Sequence, residues 1–300
     1  MWAMRSWKTD VTWRRLGFDF ELYSQDCLGR WLVKKIFCMF FWLALFGTTT
    51  SCGDKNLFTD AAKKDTDAAL AEDARKLNST GDFDGAIAKF GLMSTGFRTS
   101  NEMTKLLASA YAGKCGFNFL NFFEAIKDSS SDSLFMLTMR AFKDVAVDPS
   151  SCTQAQATIQ TLVPDPNDSD RQLFMALLGF AKMGTYLRAR VDVDQDGNVD
   201  DVANACKETI LANNDVREVF TGLGLVLDNL ASLAAVASGG DTAEKMAELK
   251  TKCTENGVNC AFTNPNDIDD NAVLALRTLI DTQEFGVGDC IDDPFVTCCP

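Results

Sequence analysis

Acidic and amide side chains are concentrated in residues 192–201, which read DVDQDGNVDD. Asp192, Asp194 and Asp196 occupy alternate positions, so their carboxylates converge on one point when the chain curls. Gly197 follows directly and permits a sharp turn. Hard cations such as Ca²⁺ bind carboxylate and carbonyl oxygens. The spacing therefore predicts a cation site in this segment.

The pattern D-x-D-x-D-G resembles the first half of an EF-hand-type calcium loop, which would cover residues 192–203. The seventh position, Asn198, offers its backbone carbonyl, and the ninth, Asp200, offers a further oxygen. The twelfth position, a bidentate Glu in that loop type, is Ala203 in this sequence. The resemblance implies a weakly bound, structural Ca²⁺, and the alternative is a solvated acidic turn that caps a helix. The implied ligands are Asp192, Asp194, Asp196, Asn198 and Asp200.

The composition excludes several kinds of chemistry. The chain of 300 residues contains no histidine, which rules out Ser–His and Cys–His nucleophiles, His-ligated zinc and His pH switches. Asp and Glu number 42 against 29 Lys and Arg, a formal net charge of −13, so no cationic surface for nucleic acid is indicated. No pair of carboxylates is fixed at the separation that a glycosidase needs. We therefore expect a protein that is not an enzyme and binds no nucleic acid.

The segments that must position the acidic loop have the pattern of α-helices. Apolar residues recur at helical spacing and strand patterns are nearly absent, which predicts an all-α fold. Asp168 or Ser169 is a natural N-cap for the long helix before the loop, and residues 216–238 predict a central, buried helix. The predicted helices span about residues 60–78, 83–93, 103–114, 117–128, 132–145, 152–162, 170–190, 202–213, 216–238, 241–253 and 270–283.

Two predicted helical pairs align at a period of 34 residues. Ala74, Leu77, Gly81, Phe83 and Ala86 precede Ala108, Tyr111, Cys115, Phe117 and Leu120 by that interval. The period resembles that of tetratricopeptide repeats, and the second unit is degenerate because its turn glycine is shifted to Gly116. The resemblance implies an α-solenoid-like array of helical hairpins over residues 60–145, followed by a C-terminal helical bundle over residues 146–300. The alternative is a plain helical bundle with similar spacing.

The apolar run at residues 36–46 reads IFCMFFWLALF and is too short for a membrane-spanning helix, which takes about 20 residues. Two lysines precede it, and small polar residues and Cys52 follow it. Residues 33–51 therefore resemble a bacterial lipoprotein signal peptide, which implies a lipid on Cys52 and a tether over residues 52–59. Thr49 departs from the leucine usual in that signal. The alternatives are an ordinary signal peptide or a buried apolar helix.

Residues 1–32 do not have the composition of a signal n-region, because they carry four acidic side chains. A start at Val33 gives a compact signal that begins V-K-K-I-F. We therefore expect residues 1–32 to be an over-extended gene prediction. The alternative is a genuine N-terminal extension.

An even number of cysteines follows Cys52, and an oxidising compartment favours their pairing into disulfides. Cys253 and Cys260 are close enough to close a small loop, and Cys290 with Cys298 or Cys299 would pin the C-terminal segment. A metal site is disfavoured because paired CxxC motifs and histidine are absent from the sequence. The candidates are Cys115, Cys152, Cys206, Cys253, Cys260, Cys290, Cys298 and Cys299.

Together these features predict a protein anchored by lipid in the bacterial cell envelope, at the outer membrane and facing the periplasm. We expect a scaffold or adaptor that binds one or more unidentified envelope proteins, since concave helical repeats bind segments of other proteins. The alternative is a solute-binding lipoprotein that holds an apolar small molecule between its helices, with the phenylalanines at 117, 119, 122 and 123 around it.

Overall fold

The computed structural model describes residues 65–119, 133–229 without Val202, 240–255 and 258–288, together with five single residues. These are Phe122, Glu124, Ala231, Cys290 and Cys299. All of them belong to the unit Lys63–Pro300. The predicted extension at residues 1–32, the signal peptide at 33–51, the tether at 52–59, and Cys52 and Cys298 lie outside the described residues.

The described residues form α-helices and one short 3₁₀ helix, with no β-strand among them, which confirms the all-α prediction. Within these ranges, no helix is both long enough and apolar enough to cross a bilayer. The helices are α1 (Asp67–Ser79), α2 (Phe83–Leu92), α3 (Thr95–Arg98), α4 (Asn101–Lys114), α5 (Leu134–Arg140), α6 (Pro149–Gln160), α7 (Ser169–Val191), α8 (Asn213–Asp228), α9 (Gly240–Glu255) and α10 (Asp270–Ile280), with the 3₁₀ helix at Pro265–Asp267.

Side-chain caps set where several helices begin. Asp168 accepts a hydrogen bond from the backbone N–H of Arg171 at 3.0 Å, which confirms the predicted N-cap of α7. Thr66, Asp82, Ser100, Ser133 and Asp269 cap α1, α2, α4, α5 and α10 in the same way. Each cap satisfies a backbone donor that the first helical turn leaves without a partner.

Helices that are close in sequence pack on each other. In the N-terminal part, α1 packs on α2, α2 on α4, and α4 on α6. At the centre, α7 packs on α5, α6 and α8, and α8 packs on α10. The predicted central helix is therefore present as α8, which is buried along most of its length. Its observed end is Asp228, and residues 230 and 232–239 lie outside the described residues.

The predicted helix at 202–213 is wrong, because residues 203–212 form turns. Their carbonyl groups bond to a side chain from another helix. The guanidinium of Arg277, on α10, donates to the carbonyl oxygens of Ala205 at 2.7 Å and of Leu211 at 2.6 Å. Asn204 also accepts from the backbone N–H of Cys206 at 2.9 Å, which makes a turn. The tertiary contact of Arg277 therefore replaces the helical hydrogen bonds of this segment.

Among the cysteines that the structure describes, three pairs have both partners described and lie at disulfide-bonding distance. Their Cα atoms are 5.2 Å apart in Cys115–Cys152 and Cys206–Cys299, and 6.0 Å apart in Cys253–Cys260. The small loop expected from Cys253 and Cys260 is present. The pairing of Cys290 with Cys299 is wrong, because Cys299 pairs with Cys206, although Cys290 is itself disulfide-bonded. The pair Cys115–Cys152 joins α6 to the residue that follows α4.

Candidate metal centre

The acidic loop begins where α7 ends. Val191 is the last helical residue, and Asp192 follows it as a fully buried C-cap. The backbone N–H of Asp200 donates to the carbonyl oxygen of Val191 at 2.8 Å, which closes the loop on the end of the helix. Inside the loop, Gln195 and Gly197 have positive φ angles of 69° and 84°. These conformations make the chain curl, as the sequence pattern predicted.

Three carboxylates of the loop are held by backbone amides. Asp192 accepts from the N–H of Gly197 at 3.2 Å, Asp194 from that of Asp196 at 3.2 Å, and Asp200 from that of Val193 at 2.9 Å. Each hydrogen bond uses one carboxylate oxygen. No described residue donates a hydrogen bond to the second oxygen of any of the three. The loop therefore fixes the orientation of three carboxylates and keeps an oxygen of each available.

The separation of these carboxylates suits a calcium ion. Asp192, Asp194 and Asp200 each offer an oxygen, and these oxygens lie within 4.8 Å of one another. Ca²⁺ binds oxygen at about 2.3–2.6 Å, so two of its ligands are at most about 5 Å apart. Mg²⁺ dehydrates reluctantly and usually takes only one or two carboxylates beside several waters, so three carboxylates on one ion favour Ca²⁺. The three oxygens are therefore within the reach of one Ca²⁺.

Asp192 is the residue of the loop that most needs a cation. Its side chain is 0% exposed, and its Oδ1 atom is buried without a hydrogen-bond partner. Burial raises the pKa of this carboxyl above its usual range, and the charges of Asp196 and Asp194 raise it further. A buried carboxylate oxygen without a partner is costly. A bound Ca²⁺ would supply both the missing contact and the missing charge.

The two other predicted ligands, Asp196 and Asn198, are not part of the cluster of three. The exposed carboxylate of Asp196 accepts from the backbone N–H of Asn198 at 2.7 Å, and hydrogen bonds from the side chain and then from the backbone of Asn198 lower the pKa of Asp196. The side-chain oxygen of Asn198 accepts from Arg140 at 3.0 Å, so only its backbone carbonyl remains for a cation. At Ala203, the position of the usual bidentate Glu, the chain supplies no carboxylate.

Arg140 supports the loop from another helix. This last residue of α5 donates from Nε to the carbonyl oxygen of Gly197 at 2.9 Å, in addition to its bond with Asn198. Sequence reasoning missed it, because Arg140 lies 57 residues before Gly197 and no spacing pattern connects them. The contact joins α5 to the loop and leaves the three carboxylates untouched.

In comparisons with known proteins, the chain matches no protein-family model, no curated protein and no solved structure. What the loop can bind is therefore inferred from its own donor atoms, from their burial and from the general preferences of cations for such donors.

Proposed function

We propose that this chain is a calcium-binding helical protein, and that Asp192, Asp194 and Asp200 hold the ion at the end of α7. The observation that carries the proposal is the fully buried Asp192, whose unpartnered Oδ1 lies in a cluster of three carboxylates. The ion would balance their charge and join α7 to the loop, which Arg140 already joins to α5. The role of the ion is structural.

Titration of the chelator-treated full chain with CaCl₂ tests this role. We expect calorimetry to give a dissociation constant of about 10⁻⁴–10⁻³ M, because the chain supplies few strong ligands. Ca²⁺ at millimolar concentration should raise the melting temperature, and MgCl₂ should have a much smaller effect. Asp192→Asn should remove the response, whereas Asp201→Asn, an exposed acid outside the cluster, should keep it. Absence of both heat and a melting shift with Ca²⁺ would exclude the proposal.

The wider role that we propose is a lipid-anchored scaffold or adaptor that faces the periplasm from the outer membrane and binds an envelope protein. Serial packing of α1 on α2, α2 on α4 and α4 on α6 supports an array of helical hairpins. Equivalent positions of the 34-residue period support it further, because Ala74 and Ala108 are both fully buried. The turns after α1 and α4 each contain a glycine with positive φ, Gly81 at 82° and Gly116 at 108°.

Two measurements on bacteria that express the full chain test this wider role. Labelled palmitate should be incorporated into the native chain and not into the Cys52→Ser variant, because Cys52 is the expected lipidation site. Crosslinking of intact envelopes should then recover a specific partner with the native chain. Recovery of the anchored chain without any partner would count against an adaptor.

An apolar cavity favours one alternative, a solute-binding lipoprotein. The cavity measures about 370 Å³ and is lined by side chains from α4, from α7 and from the start of α2. Phe83, Phe117 and Phe174 are among its lining residues, which suits an apolar molecule. A fluorescent fatty acid tests this function. Saturable binding that the Ala112→Phe variant weakens would support it, and binding that the variant leaves unchanged would exclude this cavity.

A further inference from the structure

A polar cavity of about 400 Å³ lies between the first half of α8 and the 3₁₀ helix. It is lined by Asn214, Arg217, Glu218, Pro265, Asn266 and Ile268. Its size falls in the range of small-molecule sites, about 300–1,000 Å³. None of its lining residues belongs to the calcium loop, so a ligand in this cavity would not depend on bound calcium.

The carboxylate of Glu218 forms an ion pair with a buried lysine. Lys182 of α7 is 0% exposed, and its ammonium group forms an ion pair with Glu218. The ammonium also donates to Gln156 at 2.6 Å and to Thr221 at 2.5 Å. Thr153 donates to the same Oε2 atom of Glu218 at 3.1 Å, and no described residue donates to the other carboxylate oxygen. Glu218 is thus fixed with one acceptor atom left for the cavity.

Stability alone does not explain the buried Lys182–Glu218 ion pair, because such pairs stabilise a fold little. Burial lowers the pKa of Lys182, although the charge of Glu218 opposes that shift. Desolvation of a buried ion pair often costs more than its attraction returns, and apolar replacements are frequently neutral or stabilising. A buried pair that keeps one carboxylate oxygen at a cavity has a ready explanation as the support of a binding group.

The guanidinium of Arg217 is fixed on the same cavity. It donates to the carbonyl oxygen of Ile268 at 3.0 Å, to the amide oxygen of Asn214 at 3.2 Å, and to Asp270 at 2.6 Å. These bonds use three of its five N–H donors. The remaining donors belong to a side chain that cannot reorient freely. A fixed donor and a fixed acceptor of opposite charge therefore line one cavity on consecutive residues.

We propose that this cavity binds a free α-amino acid, with the ligand ammonium on Glu218 and the ligand carboxylate on Arg217. Both halves of such a zwitterion find a group of opposite charge, and charged hydrogen bonds of this kind are the strong ones. Both protein groups are already oriented, which lowers the entropic cost of binding. Asn214 and Asn266 face the same space and favour a polar ligand side chain.

The twenty common amino acids, added singly to the full chain in the presence of a chelator, test the proposal. We expect at least one to raise the melting temperature and to give a saturable heat in calorimetry. The N-acetyl and methyl-ester derivatives of that amino acid each lack one charge, so each should bind at least about tenfold more weakly. A panel without any response, or derivatives that bind as well as the parent, would overturn the proposal.

Variants locate the site. Glu218→Gln and Arg217→Gln should each weaken the binding of that amino acid at least about tenfold, and Glu208→Gln, an exposed acid on the 203–212 turns, should leave it unchanged. Glu218→Gln removes the partner of the buried Lys182, so circular dichroism must first show a folded chain. Arg217→Gln leaves that ion pair in place and remains decisive if Glu218→Gln does not fold. Undiminished binding by folded Arg217→Gln protein would overturn the assignment.

Discussion

Gly179 of α7 and Gly222 of α8 face each other where the two helices cross. A Cβ atom on Gly179 would lie 2.5 Å from the carbonyl oxygen of Gly222, and one on Gly222 would lie 2.7 Å from the carbonyl oxygen of Gly179. Real side chains do not approach a backbone oxygen so closely. The crossing also lies between the two proposed sites, because α7 ends at the acidic loop and α8 carries Arg217 and Glu218.

Replacement of either glycine should therefore separate the helices. We expect Gly179→Ala or Gly222→Ala to lower the free energy of unfolding by about 1–3 kcal/mol, the usual cost of overpacking a core. Gly91 of α2 is the matched control, because a Cβ there would meet nothing within 4 Å. Gly91→Ala should be neutral or stabilising by up to about 1 kcal/mol. Urea denaturation measures all three, and equal effects would contradict the close crossing.

The structure predicts that the aspartates of the loop contribute unequally to Ca²⁺ binding. Asp194→Asn and Asp200→Asn should weaken Ca²⁺ binding as Asp192→Asn does, by about tenfold or more, because each removes a clustered charge. Asp196→Asn should have a smaller effect, since its carboxylate lies outside the cluster of three. Calorimetry on the four variants decides the order. An effect of Asp196→Asn as large as that of Asp192→Asn would favour the full alternating pattern over the observed cluster.

Asp168 has two separable roles at the start of α7. Its Oδ1 atom caps the helix, and its Oδ2 atom forms an ion pair with Lys105 of α4 at 2.6 Å. Asp168→Ala should lower the free energy of unfolding by about 1 kcal/mol, mainly because the helix loses its N-cap. Asp168→Asn should cost less, since an asparagine also caps a helix. Urea denaturation at neutral pH compares the two variants, and an equal loss would contradict a separate capping role.

The ion pair of Asp168 also predicts a pH dependence. Lys105 and then the backbone N–H of Arg171 hold the pKa of Asp168 below its usual value of 3.8. The unfolded chain therefore takes up the proton first as pH falls, so this contribution is present above about pH 4 and is lost below it. The stability difference between the native chain and Asp168→Asn should shrink between neutral pH and pH about 2.5. A constant difference would exclude the ion pair as its source.

The disulfides should differ in their effect on stability according to the length of chain they close. Cys206 and Cys299 are 93 residues apart, and Cys253 and Cys260 are 7 apart. A disulfide stabilises mainly by limiting the entropy of the unfolded chain. Replacing the first pair by alanines should therefore lower the free energy of unfolding by about 4.7 kcal/mol, and replacing the second pair should lower it by about 2.5 kcal/mol. Urea denaturation of the two double variants tests the order, and peptide mapping of the native chain tests the pairing. A larger loss from the short loop would contradict the entropic argument.

Helical periodicity predicted most of the observed helices, because local spacing of apolar residues determines which segments can bury one face. It failed at residues 203–212, where the carbonyl groups of Ala205 and Leu211 bond to Arg277 instead of to their own segment. That contact joins residues separated by more than sixty positions. No local sequence pattern indicates this contact, so the helix at residues 202–213 was predicted wrongly because tertiary structure determines the conformation there.

In the candidate sites, too, some features follow from the local sequence and others depend on tertiary packing. Alternate spacing placed Asp192, Asp194 and Asp200 among five candidate ligands, but it did not separate them from Asp196 and Asn198, and only the structure shows which three carboxylates cluster. The burial of Asp192 and the support from Arg140 depend on how α5 and α7 pack, and the sequence does not encode that packing locally. The cavity that Arg217 and Glu218 line was not predicted from the sequence for the same reason. Lys182, the buried partner of Glu218, cannot be distinguished in the sequence from any other lysine of a long helix.

The bond between Cys206 and Cys299 also constrains the order in which the protein matures. Cys299 is made 93 residues after Cys206, so this covalent loop cannot close while the intervening chain is still being synthesised. Domains commonly begin to fold from the N-terminal end during synthesis. The α4–α6 bridge, Cys115–Cys152, is complete far earlier along the chain. The Cys115–Cys152 bond is therefore possible before the chain that carries Cys299 has been made, whereas the Cys206–Cys299 bond is not.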